Sequence, residues 1–497
     1  MNVAKRSFIY ILAVCIVTFI LQALNFEGFN TSAKFILAGI YVLVFGLVFM
    51  LIFKSKKTSE YAPMLLILAS MLIHSWYVLN TGIYDRQHDI GNISQFDDGI
   101  INGGHLGYIE YFVKNRHMPD FAPFDVFAYY HPPLHHILAS VMVSINLILS
   151  VPYALAFENV QVLTLLYFGI LCITVYMILC KLKGDDNRIS LPALSIVCFH
   201  PSLIFMSGYL NNDMITLLMT ALIIYFCISF IYEKNTKNLL FIALFMGLGA
   251  LCKLNACIYA LPVGLMFLMH IILLFKEKDA KTKRIDLTKW FKRYLLFLLI
   301  CAPIGLSFMI RNLVRFHEKP GILSANSDSL QYMGNISLIK RLLIPSTLDL
   351  EYPFHSEYAK ASTNVWLITL KTSLFGEMRP DTGQTGLILS RITIITGLLT
   401  AIVMFVFILY SFIRLANKNA QLSAFLLCAF LTVILSFIAF VIKYPYTCSC
   451  DFRYIASVLI FSSVATDISL HKKYLYILNT ALLVFSNIFL FVFALVY

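Results

Sequence analysis

The chain has few charged residues. Asp, Glu, Lys and Arg make up only 13% of its 497 residues, whereas about a quarter is usual for soluble domains. The hydrophobic share is 60% and the mean hydropathy is +0.81. This composition excludes an ordinary soluble globular protein and indicates a polytopic membrane protein.

The sequence also lacks a disulfide framework. Most of the 11 cysteines lie in apolar segments, where cysteine acts as a small hydrophobic residue. Cys448 and Cys450 lie in a polar loop, but the C-x-C spacing is too tight for an ordinary bridge between them. No small-residue cleavage site follows the apolar run after Lys5 and Arg6, so we expect an uncleaved first span. No internal repeat is visible, and the predicted organisation is a single transmembrane domain over 1–497.

Long apolar runs dominate the chain. A bilayer is crossed by a helix of about 20 apolar residues. The runs predict an all-α protein with about twelve transmembrane helices, in a range of about 11–13. They lie at 7–24, 34–53, 62–80, 133–150, 160–180, 212–232, 239–256, 257–275, 294–310, 391–413, 421–442, 455–470 and 474–497.

The net charge of +12 comes largely from short basic loops such as 54–57 and 276–284. Basic loops next to spans mark the cytoplasmic side, so the charge indicates membrane topology and not nucleic-acid binding. The remaining polar segments then face the other side of the membrane. They are 81–132, the GYLNND turn that ends at Asp213, the long region 311–390, and 444–454.

This topology requires one segment that does not cross the membrane. An external 81–132 loop and a cytoplasmic 181–188 loop do not fit the number of apolar runs between them. One alternative is 190–209, which is broken by Pro192 and by His200-Pro201. The other is the helix at 133–150. Irregular backbone is tolerated at membrane depth where it lines a protein cavity.

The 81–132 loop has the highest density of ionisable residues in the chain. Leu106, Ile109 and Val113 repeat at helical spacing, which predicts a short helix at the membrane surface. Within 361–376, a stripe of apolar residues that includes Trp366 predicts a second surface or re-entrant helix. The ionisable residues of the first loop are Asp85, Asp89, Asp97, Asp98, Glu110, His88, His105, His117 and His131, and His135 and His136 follow it directly.

Asp85 and Asp89 follow the third apolar run by a few residues. A carboxylate in a partly desolvated cavity is suited to general-base catalysis, because burial raises its pKa toward the operating range. The alternative is that both residues cap or solvate a loop helix.

Imidazole and carboxylate are also standard metal ligands, so His88, His131 and His135 could hold a divalent metal together with Asp89. No H-x-x-x-H pair on a secure helix supports this hypothesis, and no cofactor is otherwise indicated.

Charged residues also mark the other external segments. Asp213 opens an apolar run, where it either caps a helix or takes part in a site. Lys253, Arg311 and Arg453 lie at the same predicted face. Arginine matches phosphate oxygens with two parallel hydrogen bonds, although single cations at a membrane surface also contact lipid headgroups.

Taken together, these segments resemble the GT-C superfamily of integral-membrane glycosyltransferases, especially its protein O-mannosyltransferase and aminoarabinose-transferase-like branch. The resemblance follows an acidic first external loop and extends over most of the chain. The segments that carry it are YYHPPL at 129–134, SGYLNND at 207–213, GALCKLNA around Lys253, IRNLVRF at 310–316, SLFGE at 373–377 and DFRY at 451–454.

The resemblance implies transfer of a sugar from a polyprenyl-phosphate carrier at the outer membrane surface to an acceptor hydroxyl or amine. It implies direct displacement with inversion at the anomeric carbon, as in inverting glycoside chemistry. The acceptor is left open as glycan, lipid or protein. Gly104-His105 stands near the position of an Asp-Glu pair usual in relatives, which leaves the identity of the base open.

Roles for single residues follow from the same resemblance. Asp89 is the favoured base and Asp85 the second choice, while Asp213 supports the site or orients the acceptor. The cations Lys253, Arg311 and Arg453 stabilise the departing lipid phosphate. The residues expected to bind the sugar or orient the loop are His88, His131 and Tyr130.

Three other functions fit the composition. A lipid-linked sugar or solute transporter also has many spans, but it predicts an internal repeat and charges deep in several spans. A polysaccharide polymerase or ligase would use similar donors at the same face. A non-catalytic relative is the third. The short loops favour a multi-pass protein of a bacterial plasma membrane over one of the endoplasmic reticulum.

Overall fold

The computed structural model describes residues 3–24, 62–83, 103–183, 190–276, 280–319, 328–345, 347, 351–355, 362–377 and 383–469. Asp85, His88 and Asp89 lie outside the described residues, as do the predicted spans at 34–53 and 474–497. The described part is helical and confirms the all-α class.

The helices are numbered in chain order over the described residues. The first nine are α1 Val3–Leu24, α2 Ala62–Asn80, α3 Gly104–Asn115, α4 Leu134–Ile148, α5 Tyr153–Glu158, α6 Val160–Lys183, α7 Leu191–Phe199, α8 Pro201–Met206 and α9 Asp213–Tyr232. The others are α10 Thr236–Cys252, α11 Ala260–Phe275, α12 Ala280–Phe316, α13 Leu338–Leu342, α14 Val365–Phe375, α15 Gly383–Leu415, α16 Ala420–Lys443 and α17 Val458–Ile468.

In the described part of the chain, 7 helical segments are long and apolar enough to cross a membrane. The number of about twelve spans is therefore not confirmed. The predicted runs at 133–150, 239–256 and 455–470 form helices of 15, 17 and 11 residues. The segments long enough to cross are Ala62–Leu79, Tyr153–Lys183, Asp213–Tyr232, Leu254–Phe275, Ile285–Phe316, Gly383–Leu415 and Ala420–Lys443.

Neither segment proposed as the non-crossing one forms a long helix. Helix α4 has only 15 residues. In 190–209 the helix ends at Phe199 and restarts at Pro201 as α8, because proline at the first helical position has no N–H to donate to the preceding turn. Ser190 caps α7 by accepting a hydrogen bond from the Ala193 N–H at 3.3 Å.

Helices are present in both segments for which a surface or re-entrant helix was predicted, and their placement relative to the membrane stays a prediction. The 106–113 pattern forms α3, and the 361–376 stripe forms α14. Asn364 caps α14, because its Oδ1 accepts hydrogen bonds from the N–H groups of Trp366 and Leu367, both at 3.1 Å.

The chain forms two compact units, which are described separately. The first comprises 1–189, 207–322 and 412–432, and the second comprises 190–206, 323–411 and 433–497. This division follows packing alone, and the single domain predicted over 1–497 stays a prediction.

Small residues allow close helix packing in the first unit. A Cβ built on Gly169 of α6 would lie 2.5 Å from Val14 of α1. Helices α10 and α12 approach through Gly247, which faces Cys301 and Ile304, and through Gly305, which faces Ala250. Residues later in α10 face residues later in α12, so the two helices run in the same direction. Small residues at such interfaces are common in membrane helices.

Candidate active site

Hydrogen bonds join the start of α3 to the last residues of the first external loop. Gly104 begins α3 with a φ of 83°, and its N–H donates to the Phe127 carbonyl at 2.9 Å. The Tyr129 hydroxyl donates to the Gly107 carbonyl at 3.0 Å. Tyr108 and Tyr129 are fully buried and stack with their ring centroids 4.3 Å apart. The YYHPPL segment therefore packs directly on α3.

Three histidines meet at the start of α3. His105 Nδ1 lies 2.9 Å from His136 Nε2. One of these two nitrogens therefore carries a proton and donates a hydrogen bond, which the other nitrogen accepts. The His131 ring stacks on His105 with a centroid distance of 5.2 Å. Tyr130 packs beside His131, with the ring centroids 4.6 Å apart. The sequence placed His131 and Tyr130 in the site, and the structure places them beside α3.

Helix α4, which begins at the leucine of the HPPL sequence, is hydrogen-bonded to the GYLNND turn. Buried His135 has its Nε2 at 2.8 Å from the Leu210 carbonyl, which identifies Nε2 as the protonated nitrogen, because a carbonyl only accepts. The Thr164 hydroxyl donates to the Tyr209 carbonyl at 2.8 Å. These two bonds fix the backbone directly before Asp213.

Asp213 forms a buried ion pair with Lys253 through its Oδ1 and the lysine Nζ. Asp213 and Lys253 are 5% and 8% exposed. The Asn211 side chain accepts a hydrogen bond from the Asp213 N–H at 3.0 Å, and Asn212 donates to the Cys252 carbonyl. A hydrogen bond to a backbone carbonyl and an ion pair thus connect the turn to the end of α10. Asp213 and Lys253 were each predicted from the sequence as site residues, but their ion pair was not predicted.

The end of α12 is bound to the first external loop. An Nη2 proton of Arg311 is donated to the Pro119 carbonyl, and Nη1 donates to Asn312 at 3.0 Å. Arg315 pairs with Asp120 at 3.2 Å. Because α10 and α12 are parallel, Lys253 and Arg311 lie at the same end of this helix pair.

Arg453 belongs to the second unit. Asp451 accepts a hydrogen bond from the Arg453 N–H at 2.8 Å, and the Arg453 guanidinium lies 5.1 Å from the Tyr454 ring centroid. The Phe452 N–H donates to the Thr372 hydroxyl at 3.0 Å, which joins the DFRY loop to α14.

Glu110 and Lys371 are among the buried charged residues for which no role was predicted from the sequence. Glu110 in α3 accepts a hydrogen bond from the Tyr153 hydroxyl at 2.8 Å and pairs with Lys114 at 2.8 Å. Lys371 in α14 is fully buried in the second unit, and its Nζ donates to the Ser362 hydroxyl at 3.3 Å. A lysine inside a short apolar helix was the available signal, because such charges are rarely buried without a purpose.

Within the described ranges, no group of three or more His, Cys, Asp or Glu side chains is arranged to hold a metal ion. His135, one of the suggested ligands, uses its Nε2 for the Leu210 carbonyl. The other suggested ligands, His88 and Asp89, lie outside the described residues. The metal site suggested for His88, His131, His135 and Asp89 therefore stays a prediction.

Residues 161–318 match the family described as "PMT: Dolichyl-phosphate-mannose-protein mannosyltransferase". The matched part is less than half of the chain and contains Asp213, Lys253 and Arg311, but not Asp85, Asp89 or Arg453. No protein among those with curated functions matches the chain significantly. The match confirms the resemblance to GT-C membrane glycosyltransferases that was drawn from the sequence.

Proposed function

We propose that this multi-pass helical membrane protein, whose residues 161–318 match the PMT family, transfers mannose from a polyprenyl-phosphate-mannose donor to an acceptor on the extracytoplasmic face. The membrane is proposed to be a bacterial plasma membrane. The observation that carries the proposal is the buried Asp213–Lys253 pair, which lies at the same end of the α10–α12 pair as Arg311.

The reaction is proposed as a single displacement. An acceptor oxygen or nitrogen attacks the anomeric carbon of the sugar, and the bond from that carbon to the phosphate oxygen breaks. The electron pair leaves with the lipid phosphate. The acceptor proton passes to the carboxylate of Asp89, or of Asp85 as the second candidate. Attack from the face opposite the leaving group inverts the configuration at the anomeric carbon.

The leaving phosphate needs positive charge close to the oxygen that gains it. Lys253 is held by Asp213 at the end of α10, and Arg311 is held by the Pro119 carbonyl at the end of α12. Both side chains are already ordered, so little conformational entropy is lost when the phosphate binds. The role expected for Arg453 from the sequence, to stabilise the departing lipid phosphate, stays a prediction, because Arg453 belongs to the second compact unit.

Asp213 then has a positioning role, since its carboxylate is engaged by the Lys253 ammonium. A carboxylate next to an ammonium is stabilised in its charged form and is a weak base. The loop carboxylates of Asp85 and Asp89 are therefore preferred as proton acceptors. His88, His131 and Tyr130 are proposed to contact the sugar or to orient the loop.

The test is transfer of radiolabelled mannose from polyprenyl-phosphate mannose by the purified protein in nanodiscs, with acceptor extracts supplied. A panel of other polyprenyl-phosphate sugars checks donor choice. Asp89→Asn and Asp85→Asn are measured beside Asp97→Asn and Asp98→Asn, which change carboxylates of the same loop. We expect one substitution of the first pair to abolish transfer and both of the second pair to keep it.

Two other outcomes would contradict the transferase proposal. If every donor stays intact while a labelled lipid or solute crosses proteoliposome membranes, the protein is a transporter. If whole oligosaccharides are transferred instead of single sugars, it is a polymerase or ligase.

A further inference from the structure

A groove of about 470 Å³ runs between the C-terminal half of α3 and helix α4. Its walls include Phe112, Ile137, Val141 and Ile145. The hydroxyl of Ser140, which also lines the groove, donates to the Ile137 carbonyl at 2.8 Å and leaves no free donor there. The Ser144 hydroxyl, also in the lining, donates to the Ser140 carbonyl at 2.7 Å. The α4 side of the groove is therefore apolar, and Arg116 and His117 add polar groups beyond the end of α3. The volume lies in the range of roughly 300–1,000 Å³ usual for ligand pockets.

The rim of this groove carries a cation. Arg116 follows α3 with a φ of 57° and ends the helix, because its N–H donates to the Phe112 carbonyl at 3.1 Å. Its side chain is exposed and makes no hydrogen bond or ion pair with any described residue. A free guanidinium above an apolar channel suits an amphiphile with an anionic head and an apolar tail.

The neighbouring charges favour an anionic head over a zwitterionic one. Asp120 is the acid nearest to the rim in the sequence, and it is paired with Arg315 at 3.2 Å. The other oxygen of Asp120 lies 3.8 Å from Nδ1 of His117, which lines the groove. A positively charged headgroup amine would therefore compete with Arg315 and His117 for this carboxylate. Lys253 and Arg311, the proposed ligands of the donor phosphate, do not line the groove.

The outer wall suits a lipid chain. Val141 and Ile145 are 52% and 49% exposed on α4. From Ile137 to Ile145 the helix rises by about 12 Å, which offers the upper part of an acyl chain a continuous apolar surface. The topology predicted from the basic loops places the rim at the external membrane surface.

We propose that this groove binds an anionic phospholipid of the outer leaflet, with its phosphate at Arg116 and one acyl chain along α4. The bound lipid would brace α3, the helix on which Tyr129 and the three histidines pack, from the membrane side. This proposal does not depend on the transferase reaction.

The test is thermal unfolding of the delipidated full chain in neutral detergent, with phosphatidylglycerol or phosphatidylcholine of the same acyl chains added. We expect phosphatidylglycerol to raise the Tm more than phosphatidylcholine. Arg116→Gln should weaken phosphatidylglycerol binding by roughly tenfold and remove the headgroup preference, and Arg116→Lys should restore part of it. Val141→Trp, which fills the groove from its exposed side, should reduce stabilisation by both lipids.

Lys340→Gln is the matched control, since Lys340 is an exposed cation outside the groove, and it should keep the preference. The proposal is overturned if the wild type shows no headgroup preference or if Arg116→Gln retains it. It is also overturned if polyprenyl phosphate displaces the phospholipid, as counted by mass spectrometry, because the groove would then hold the donor.

Discussion

Asp213 and Lys253 lie 40 positions apart in the chain and form a buried ion pair. Asp213 begins α9, and Lys253 follows the last residue of α10. Burying two charges is costly unless they satisfy each other. The pair therefore fixes the charge and position of the lysine at the end of the helix pair.

Lys253→Met should destabilise the protein by roughly 3–5 kcal/mol, because it leaves the Asp213 carboxylate buried without its ammonium. The double variant Asp213→Asn, Lys253→Met should regain much of this loss, since neither charge remains. Thermal unfolding in detergent measures both. An equal loss in the single and double variants would show that the unpaired Asp213 carboxylate is not the cause of the destabilisation. Transfer should be impaired in both.

Arg311→Gln should raise the KM for the lipid-linked donor by roughly ten- to a hundredfold, the effect of losing a hydrogen bond to a charged phosphate. Arg315→Gln is the control one turn later on the same helix. Its pair with Asp120 is mostly exposed, and exposed pairs contribute at most about 1 kcal/mol. Steady-state kinetics with varied donor separates the two variants. A similar KM change in both would argue against a specific phosphate contact at Arg311.

His135→Leu should cost roughly 1–3 kcal/mol of stability, because the buried Leu210 carbonyl loses its donor. We also expect lower transfer activity, since that carbonyl belongs to the turn that carries Asp213. His117→Leu serves as control, because His117 is exposed in the first external loop. Unfolding temperature and transfer rate are the two measurements. Unchanged values for His135→Leu would mean that this hydrogen bond does not hold the turn.

Tyr129→Phe should reduce the loss of stability at alkaline pH. Burial, and secondarily the charge of Glu110, raises the pKa of Tyr129 above its usual range. Neutral Tyr129 contributes its full share of the free energy of unfolding below the unfolded-state pKa of about 10. This share is lost as pH rises toward the folded-state pKa.

The check is the unfolding temperature between pH 8 and 11, where the variant should fall less than the wild type. At pH 8 the variant should be less stable by about 1 kcal/mol, because it lacks the hydrogen bond to Gly107. Tyr352→Phe, at an exposed tyrosine, should follow the wild type. A steeper alkaline fall in Tyr129→Phe would contradict the assignment.

Local pattern was enough for individual helices. The spacing of Leu106, Ile109 and Val113 predicts α3, and the break at His200-Pro201 predicts the end of α7, because both depend on residues within a few positions. The number of spans was less predictable. Apolar composition does not distinguish a short helix such as α4, which has 15 residues, from a helix that crosses.

The same distinction between local pattern and long-range contact applies to the site. By itself, the sequence determined that the described part of this membrane protein is helical, that a helix breaks at His200-Pro201, and that charged residues collect in a few polar segments, because hydropathy and helix breaking are local properties. Only the tertiary structure decided that Asp213 pairs with Lys253, that His135 holds Leu210 and that Arg311 holds the first loop. These contacts join residues between 40 and 192 positions apart, and they depend on how helices pack, which spacing along one chain does not specify.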